Sequence, residues 1–204
     1  MVLPPNELGV LVSLFPEKHF KTLKEIQKKC GYSYERVHSA VQSLSEKGIV
    51  GTKRYGNVIV AFPNYHSDFA FLGFVHYTTE SKSRFYTDSM GILSQKARKV
   101  QDSGSVHERT PGEISSCLSG LEKLDAELVS VLDFSIMPVK KVALMVLGPK
   151  YLSEELLKME YRCGLRFDAQ FETIESISRK RDDSRYLNGI VVKGVEKFYR
   201  AFYL

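Results

Sequence analysis

The feature that most constrains the fold is a close succession of helix start and stop signals in the first quarter of the chain. Thr22 and Glu25 have the spacing of a capping box, which begins a helix, and Gly31 is placed to end that helix. Ser33 is a good N-cap for a further helix, and Gly48 follows as its C-terminal stop. Two short helices joined by a tight turn are therefore predicted.

Further elements flank this pair of helices. Apolar residues recur at helical spacing over residues 6–15, which predicts a preceding helix. β-branched residues on both sides of Tyr55-Gly56-Asn57 predict a hairpin over residues 49–62. The predicted order is helix, helix, turn, helix and hairpin within about sixty residues, a compact unit of its own.

This order is similar to that of a known family. The stretch TLKEIQKKCGYSYERVHSAVQSLSEKGIVGTKRYGNVIVAFPN resembles the winged helix-turn-helix family. Its LSEKGIV segment, in which a last helical leucine, polar residues and a glycine lead into the first strand, is characteristic of that family. The resemblance covers residues 5–64. It implies a domain that binds double-stranded DNA, with the third helix in the major groove and the hairpin tip over phosphates or in the minor groove.

The predicted third helix carries polar side chains opposite its apolar positions. Val37, Val41 and Leu44 would hold the core, which leaves the opposite face free to bond base edges. Arg36 could pair with a guanine and Gln42 with an adenine, whereas an ordinary solvated helix face is the alternative. The candidate base-reading residues are Ser33, Arg36, Ser39 and Gln42.

Basic residues are concentrated in the same part of the chain. Residues 1–65 carry nine Lys and Arg against five Asp and Glu, whereas the other 139 residues carry twenty against nineteen. Such a surplus favours a nucleic-acid partner for the N-terminal part. For single residues, an ordinary exposed lysine or a solubilising hairpin tip is the alternative. The candidate phosphate-contacting residues are Lys24, Lys28, Lys53, Arg54 and Tyr55.

The middle of the chain is predicted to connect two domains. The aromatic-rich residues 65–83 fit a linker helix, and residues 84–112 are poor in apolar side chains, which indicates an exposed connector. The predicted divisions are a winged-helix domain over 1–65, a connector over 66–112 and a C-terminal domain over 113–204. The expected fold class is α+β.

The C-terminal part predicts a small α/β domain. Residues 113–132 have the pattern of an amphipathic helix, whose apolar stripe is either core or the pairing face of a homodimer. Strands are predicted over 141–147 and 165–171, with a helix between them. A helix over 185–193 and a strand over 195–203 complete the expected domain.

The end of the chain, RYLNGIVVKGVEKFY, faintly resembles that of nucleotidyltransferase-like domains. That family's chemistry needs a Gly-Ser turn for phosphates and a D-x-D pair for magnesium. Here the strand over 141–147 leads into Gly148-Pro149, and the chain contains no D-x-D. The resemblance therefore implies a degenerate domain. We expect no enzymatic activity, and the sequence indicates no catalytic residue, metal ligand or cofactor.

Cysteine usage and hydropathy indicate the compartment. Three cysteines without a C-x-x-C pair predict three reduced thiols in a cytoplasmic protein. The longest uncharged apolar run is far shorter than the ~20 residues that span a bilayer, so no membrane association is expected.

Taken together, these patterns predict a sequence-specific, double-stranded-DNA-binding transcriptional regulator. The expected partners are double-stranded DNA, a second copy in a homodimer, and a small-molecule or protein effector at the C-terminal domain. The alternatives are an antitoxin-like or assembly protein-binding module and a catalytically degenerate nucleotidyltransferase-like protein.

Overall fold

The computed structural model describes most of the chain. The described residues are 3–100, 116, 118–135 and 141–204. Within them the protein is α+β, as the sequence predicts, with helices and two separate β-sheets.

The chain divides into two compact units. The first unit comprises Met1–Tyr77, Arg181–Leu187 and Tyr199–Leu204, and the second comprises Thr78–Lys180 and Asn188–Phe198. These units differ from the predicted divisions, because the start of the linker helix and two C-terminal segments belong with the N-terminal part. Local composition cannot reveal such a return of the chain, since it depends on contacts between residues far apart in sequence.

Three helices form the first part of the first unit: α1 (Pro5–Ser13), α2 (Leu23–Cys30) and α3 (Tyr34–Glu46). The capping box is confirmed, because the Thr22 side chain accepts from the Glu25 amide while the Glu25 carboxylate accepts from the Thr22 amide. Two otherwise orphan amides at the start of α2 are thereby satisfied.

A three-stranded antiparallel sheet completes this part of the unit. Its strands are β1 (Lys21–Thr22), β2 (Val50–Tyr55) and β3 (Val58–Pro63), in the order β1-β3-β2. The predicted hairpin is confirmed, and Gly56 at its tip has φ +58°, a conformation that favours glycine. Strand β1 was not predicted, since two residues are too few to show a period.

The first unit has an apolar core between the helices and the sheet. The core confirms the predicted inner face of α3. Its most buried members are Val10, Leu11, Leu14, Leu23, Ile26, Val37, Ala40, Leu44, Ile49 and Ala61.

Helix α4 (Asp68–Val100) begins in the first unit and continues into the second. It confirms the predicted linker helix over 65–83. Residues 84–100, which the sequence analysis placed in the exposed connector, are a continuation of this helix. Low apolar density therefore does not by itself indicate the lack of a helix. Residues 101–112 of the predicted connector lie outside the described residues.

The remaining elements are β4 (Leu128–Ser135), β5 (Lys141–Leu147), α5 (Leu152–Cys163), β6 (Arg166–Glu172), α6 (Ile174–Arg179), α7 (Ser184–Leu187), β7 (Ile190–Lys193) and α8 (Val195–Tyr203). The four strands form the second sheet, in the order β6-β5-β4-β7, with β5 and β6 parallel and the other pairs antiparallel.

The predicted amphipathic helix over 113–132 is wrong for much of its length. Residues 120–123 form a 3₁₀ turn, and strand β4 begins at Leu128. The alternating β-branched Val129 and Val131 favour a strand, and both lie in the core of the second unit. Of the apolar stripe, Leu118, Leu121 and Leu128 are buried, whereas residues 113–115 and 117 lie outside the described residues.

Two predictions near the C-terminus are also wrong. The predicted helix over 185–193 is the short α7 followed by strand β7, and the predicted strand over 195–203 is helix α8. In α8 the buried positions follow a helical period rather than a strand alternation. They are Phe198, Tyr199, Phe202 and Tyr203.

The cysteines also depart from expectation. Cys163, buried at the end of α5, forms a disulfide bond, whereas Cys30 is free. The prediction of three reduced thiols is therefore wrong for Cys163, since spacing in sequence does not show which cysteines lie close in space.

The C-terminal residues of α8 complete the first unit through aromatic contacts. The Tyr203 hydroxyl donates to the Pro16 carbonyl at 2.6 Å, and the Tyr199 hydroxyl donates to the Tyr65 carbonyl at 2.8 Å. The Tyr203 ring lies 5.6 Å from that of Phe15 and 5.1 Å from that of Tyr65. Burial raises the pKa of Tyr65 to about 12 and also raises that of Tyr203.

We expect Tyr203→Ala to lower the free energy of unfolding by about 3–5 kcal/mol, since it removes a buried aromatic ring. Tyr203→Phe should cost about 1 kcal/mol, through the lost hydrogen bond alone. Urea titration followed by circular dichroism measures both. The exposed Leu204→Ala serves as the control, and equal stability of Tyr203→Ala and Leu204→Ala would contradict the packing described.

We also expect a loss of stability in alkaline solution. The pKa of Tyr65 is about 12 in the fold against 10.0 for an ordinary tyrosine. Its contribution to stability is therefore complete below pH 10 and declines as the pH rises towards 12. Urea midpoints at pH 9, 10.5 and 11.5 measure the decline. It should be smaller in Tyr65→Phe, and an unchanged decline in that variant would exclude Tyr65 as a cause.

Candidate nucleic-acid interface

Several basic residues of the N-terminal part form ion pairs within the first unit. The ion pairs bring a lysine and a carboxylate together from different elements or from the intervening loops, so sequence spacing shows few of them. They are Lys18–Asp182, Lys21–Glu17, Lys29–Glu17 and Lys47–Glu7.

Glu17 is the centre of the largest of these groups. Lys21, whose side chain is only 3% exposed, donates to Glu17 and also to the Ser13 carbonyl at 3.0 Å. Lys29 donates to Glu17 at 2.9 Å and to the Phe15 carbonyl at 3.0 Å. Burial alone would raise the pKa of Glu17, but the two lysine hydrogen bonds outweigh it and hold that pKa at about 2. Burial lowers the pKa of Lys21 to about 8.

The other five basic residues of this part have no such carboxylate. Among the described residues none of them forms an ion pair, and all five are exposed. They are the same five that the sequence predicts as DNA contacts. These residues are Lys24 and Lys28 on α2, Arg36 on α3, and Lys53 and Arg54 on the hairpin.

The candidate base-reading residues occupy two different parts of α3. The Ser33 hydroxyl accepts from the Arg36 amide at 3.4 Å, so it caps the helix. The Arg36 guanidinium lies 5.6 Å from the Tyr32 ring, beside the turn between α2 and α3. Ser39 and Gln42 are exposed further along the helix. The structure therefore brings Ser39 and Gln42 to the outward face, and Arg36 to its flank.

Strand register separates the two cations of the hairpin. Side chains alternate along a strand, so Arg54 shares a face with Thr52 and with Ile59, the residue paired with Arg54 on β3. Lys53 lies on the other face, together with Tyr55. Lys53 and Arg54, which the sequence analysis assigned together as phosphate contacts, therefore belong to two different surfaces. The Arg54 Nε donates to the Gly56 carbonyl at 3.1 Å, which holds its side chain at the tip.

A groove lies between α3 and the face of the hairpin that carries Thr52. It has a volume of about 240 Å³, and both elements contribute polar side chains to it. Gln42 borders the groove and donates to Glu46 at 3.1 Å. The lining residues are Leu23, His38, Val41, Gln42, Ser45, Glu46, Thr52 and Ile59.

His38 is a groove residue that the sequence analysis did not assign as a contact. It is exposed, and its ring lies 6.4 Å from that of Tyr34. His38 and Gln42 are four residues apart, so both lie on the same side of α3. That spacing was visible in the sequence, but the position of the hairpin beside it was not.

In the second unit, the turn after β5 is where the resemblance to nucleotidyltransferase-like domains would place the Gly-Ser turn. After β5, a side chain at Gly148 would place its Cβ 2.8 Å from Cδ1 of Leu152, so Leu152 packs close against this turn. In the described part of the chain, no three His, Cys, Asp or Glu side chains are grouped so that they could hold a metal ion.

Comparisons with protein-family models, with curated proteins and with solved structures found no match to this chain. Within the described ranges, no helix has both the length and the apolar character that crossing a bilayer requires.

We expect Glu17→Gln to destabilise the first unit by about 1–3 kcal/mol at pH 7, because it leaves the buried Lys21 without a counter-charge. The pKa of Glu17 is about 2 in the fold against 4.5 ordinarily. Its stabilisation is therefore complete above pH 4.5 and is lost as the pH falls towards 2.

Urea unfolding at pH 7, 4 and 2.5 measures both effects. Glu35→Gln is the matched control, since Glu35 is exposed and forms no ion pair with a described residue. A Glu17→Gln variant as stable as this control at every pH would rule out the proposed role of the ion pairs.

Proposed function

We propose that the protein is a sequence-specific, double-stranded-DNA-binding transcriptional regulator whose first unit is a winged helix. The observation that carries the proposal is that the basic residues of the first unit fall into two groups, those in ion pairs with carboxylates and those without. Four basic residues form ion pairs with carboxylates, and the five that form none among the described residues are exposed on α2, α3 and the hairpin. Unpaired exposed cations attract phosphates and release counterions when they bind them.

In this proposal α3 and one hairpin face act together. Gln42, Ser39 and His38 read base edges from the outward side of α3, where an amide can bond an adenine bidentately. Arg54 binds a phosphate beside them, from the hairpin face that borders the groove. Lys24 and Lys28, one turn apart on α2, bind the backbone and set the register of α3 in the groove.

The second unit in this proposal carries no reaction and holds a protein or small-molecule effector. The regulator acts as a homodimer that binds two half-sites, so its DNA site should be palindromic.

A protein-binding module is the second candidate. Glu35 and Glu46 are both exposed on α3 near the predicted base-reading residues. Carboxylates repel phosphates, and they favour a basic protein partner in place of DNA. The two candidates differ in their response to salt and to the loss of the unpaired cations.

Selection from pooled genomic duplex fragments at two salt concentrations tests the proposal. We expect an enriched motif. Affinity should fall as salt rises, and in a plot of log affinity against log salt the line becomes less steep by about 0.9 for each phosphate contact removed. Replacing Lys24, Lys28 and Arg54 together by alanine should therefore reduce the steepness by about 2–3. Gln42→Ala should instead reduce discrimination at one base pair by about 1–3 kcal/mol.

Lys158→Ala is the matched control, because Lys158 is an exposed cation of the second unit that forms no ion pair with a described residue. It should leave the slope unchanged. Failure to enrich any motif, with weak binding that disappears at physiological salt, would overturn the proposal in favour of the protein-binding module.

A further inference from the structure

The hairpin has a second face that the duplex-binding groove does not use. The register places Lys53, Tyr55, Val58 and Phe62 on this face, since β2 and β3 pair Lys53 with Val60 and Tyr55 with Val58. Phe20, from the loop before β1, packs on Phe62 with a centroid distance of 4.8 Å. We call this surface, made of Phe20, Lys53, Tyr55, Val58 and Phe62, the outer hairpin face.

The outer hairpin face exposes large apolar groups. Tyr55 is 57% exposed, Val58 47% and Phe20 41%. The Lys53 ammonium lies 4.9 Å from the centre of the Phe20 ring and 6.0 Å from that of Phe62. Lys53 forms no ion pair with any described residue, so a cation and three aromatic rings meet on one side of the sheet.

Gly51 permits the position of the Phe62 ring. A Cβ at Gly51 would lie 2.4 Å from Cζ of Phe62, which is far inside van der Waals contact. The ring therefore lies directly against the strand backbone, where any larger residue would displace it.

A hollow of about 460 Å³ continues from this surface within the first unit. Gly51 and Phe62 form one part of its lining, and Tyr65, His66 and Tyr203 form another. Its size is within the range of small-ligand pockets, and aromatic rings supply much of its wall. When one planar ring of a ligand stacks on the outer hairpin face, the next ring of that ligand has space in this hollow beside Phe62.

The charge on this face suits one class of partner. None of its five residues is acidic, and Lys53 provides a free positive charge beside the rings. Sheet surfaces that combine exposed aromatic rings with cations bind unpaired bases, because every base has a stacking face and every nucleotide a phosphate. A purely apolar partner would leave the Lys53 ammonium without a counter-charge.

We propose that the outer hairpin face binds unpaired bases of a nucleic-acid strand, with Phe20, Tyr55 and Phe62 stacking on bases and Lys53 holding a phosphate. The inference rests on the proposed function, because both assume a nucleic-acid partner. The outer hairpin face lies on the opposite side of the hairpin from the groove, so the two sites can be tested separately. The protein would then hold a duplex through α3 and an adjacent melted segment through this face.

Fluorescence anisotropy with three labelled DNAs tests the inference on the full chain. The probes are a duplex bearing the selected motif, the same duplex with an adjacent bubble of six thymines, and a thymine 12-mer. We expect the bubble to bind more tightly than the plain duplex. Tyr55→Ala and Phe20→Ala should each weaken binding of the bubble and the 12-mer by about 5- to 100-fold, with duplex affinity within twofold.

Two variants serve as controls. Arg54→Ala should weaken the duplex while leaving the 12-mer within twofold, because Arg54 lies on the groove side of the hairpin. Tyr161→Ala removes a tyrosine that is 88% exposed in the second unit and should change nothing. Circular dichroism melting of each variant confirms that it folds.

The outcomes separate this inference from the proposed function. Wild-type protein that binds the 12-mer but no duplex would overturn the duplex proposal alone, whereas equal affinity for duplex and bubble with no 12-mer binding would overturn the present one. Equal losses on all three probes for Tyr55→Ala would also overturn it. A dimer that dissociates in Tyr55→Ala, with DNA binding unchanged, would assign this face to a second copy of the chain.

Discussion

The pairing of two carboxylates with lysines determines which charges the first unit presents to a partner. Glu17 forms ion pairs with Lys21 and Lys29, and Glu7 forms one with Lys47. A closely paired charge contributes little to the field at a distance, whereas an unpaired one contributes fully. A modest surplus of positive charge in the sequence therefore becomes, in the fold, a separated set of free cations on α2, α3 and the hairpin. The same pairs hold the loop that follows α1 against α2, so stability and surface charge depend on one set of contacts.

The sequence predicted the parts of the fold that depend on local signals. The capping box at Thr22, the N-cap at Ser33 and the turn at Gly56 are all present, because a few neighbouring residues determine each of them. The wrong predictions concern segments whose apolar residues fit both a helical and a strand period, as over 113–132, or parts of the chain that contact residues far away in sequence. The return of α8 into the first unit belongs to the second kind, since nothing near the C-terminus indicates its contact with Pro16.

The candidate interface could be predicted in composition but not in arrangement. Composition and helix period identified the cations and the polar positions of α3. The opposite faces of Lys53 and Arg54 required the register of β2 against β3, which adjacent residue numbers conceal. The place of His38 in the groove required the position of the hairpin beside α3. Each of these depends on pairing between separate elements rather than on a local pattern.

A hairpin that packs one face of its base on a core must leave the other face to solvent or to a partner. At the base of this hairpin Val50 and Ala61 are buried, whereas Tyr55 and Val58 at its tip are exposed. Large apolar groups grouped on a surface favour association, and the Lys53 ammonium beside Phe20 keeps part of the surface hydrated. A nucleotide supplies both a phosphate for this ammonium and a ring that can stack on the aromatic side chains, whereas an apolar partner supplies only the second.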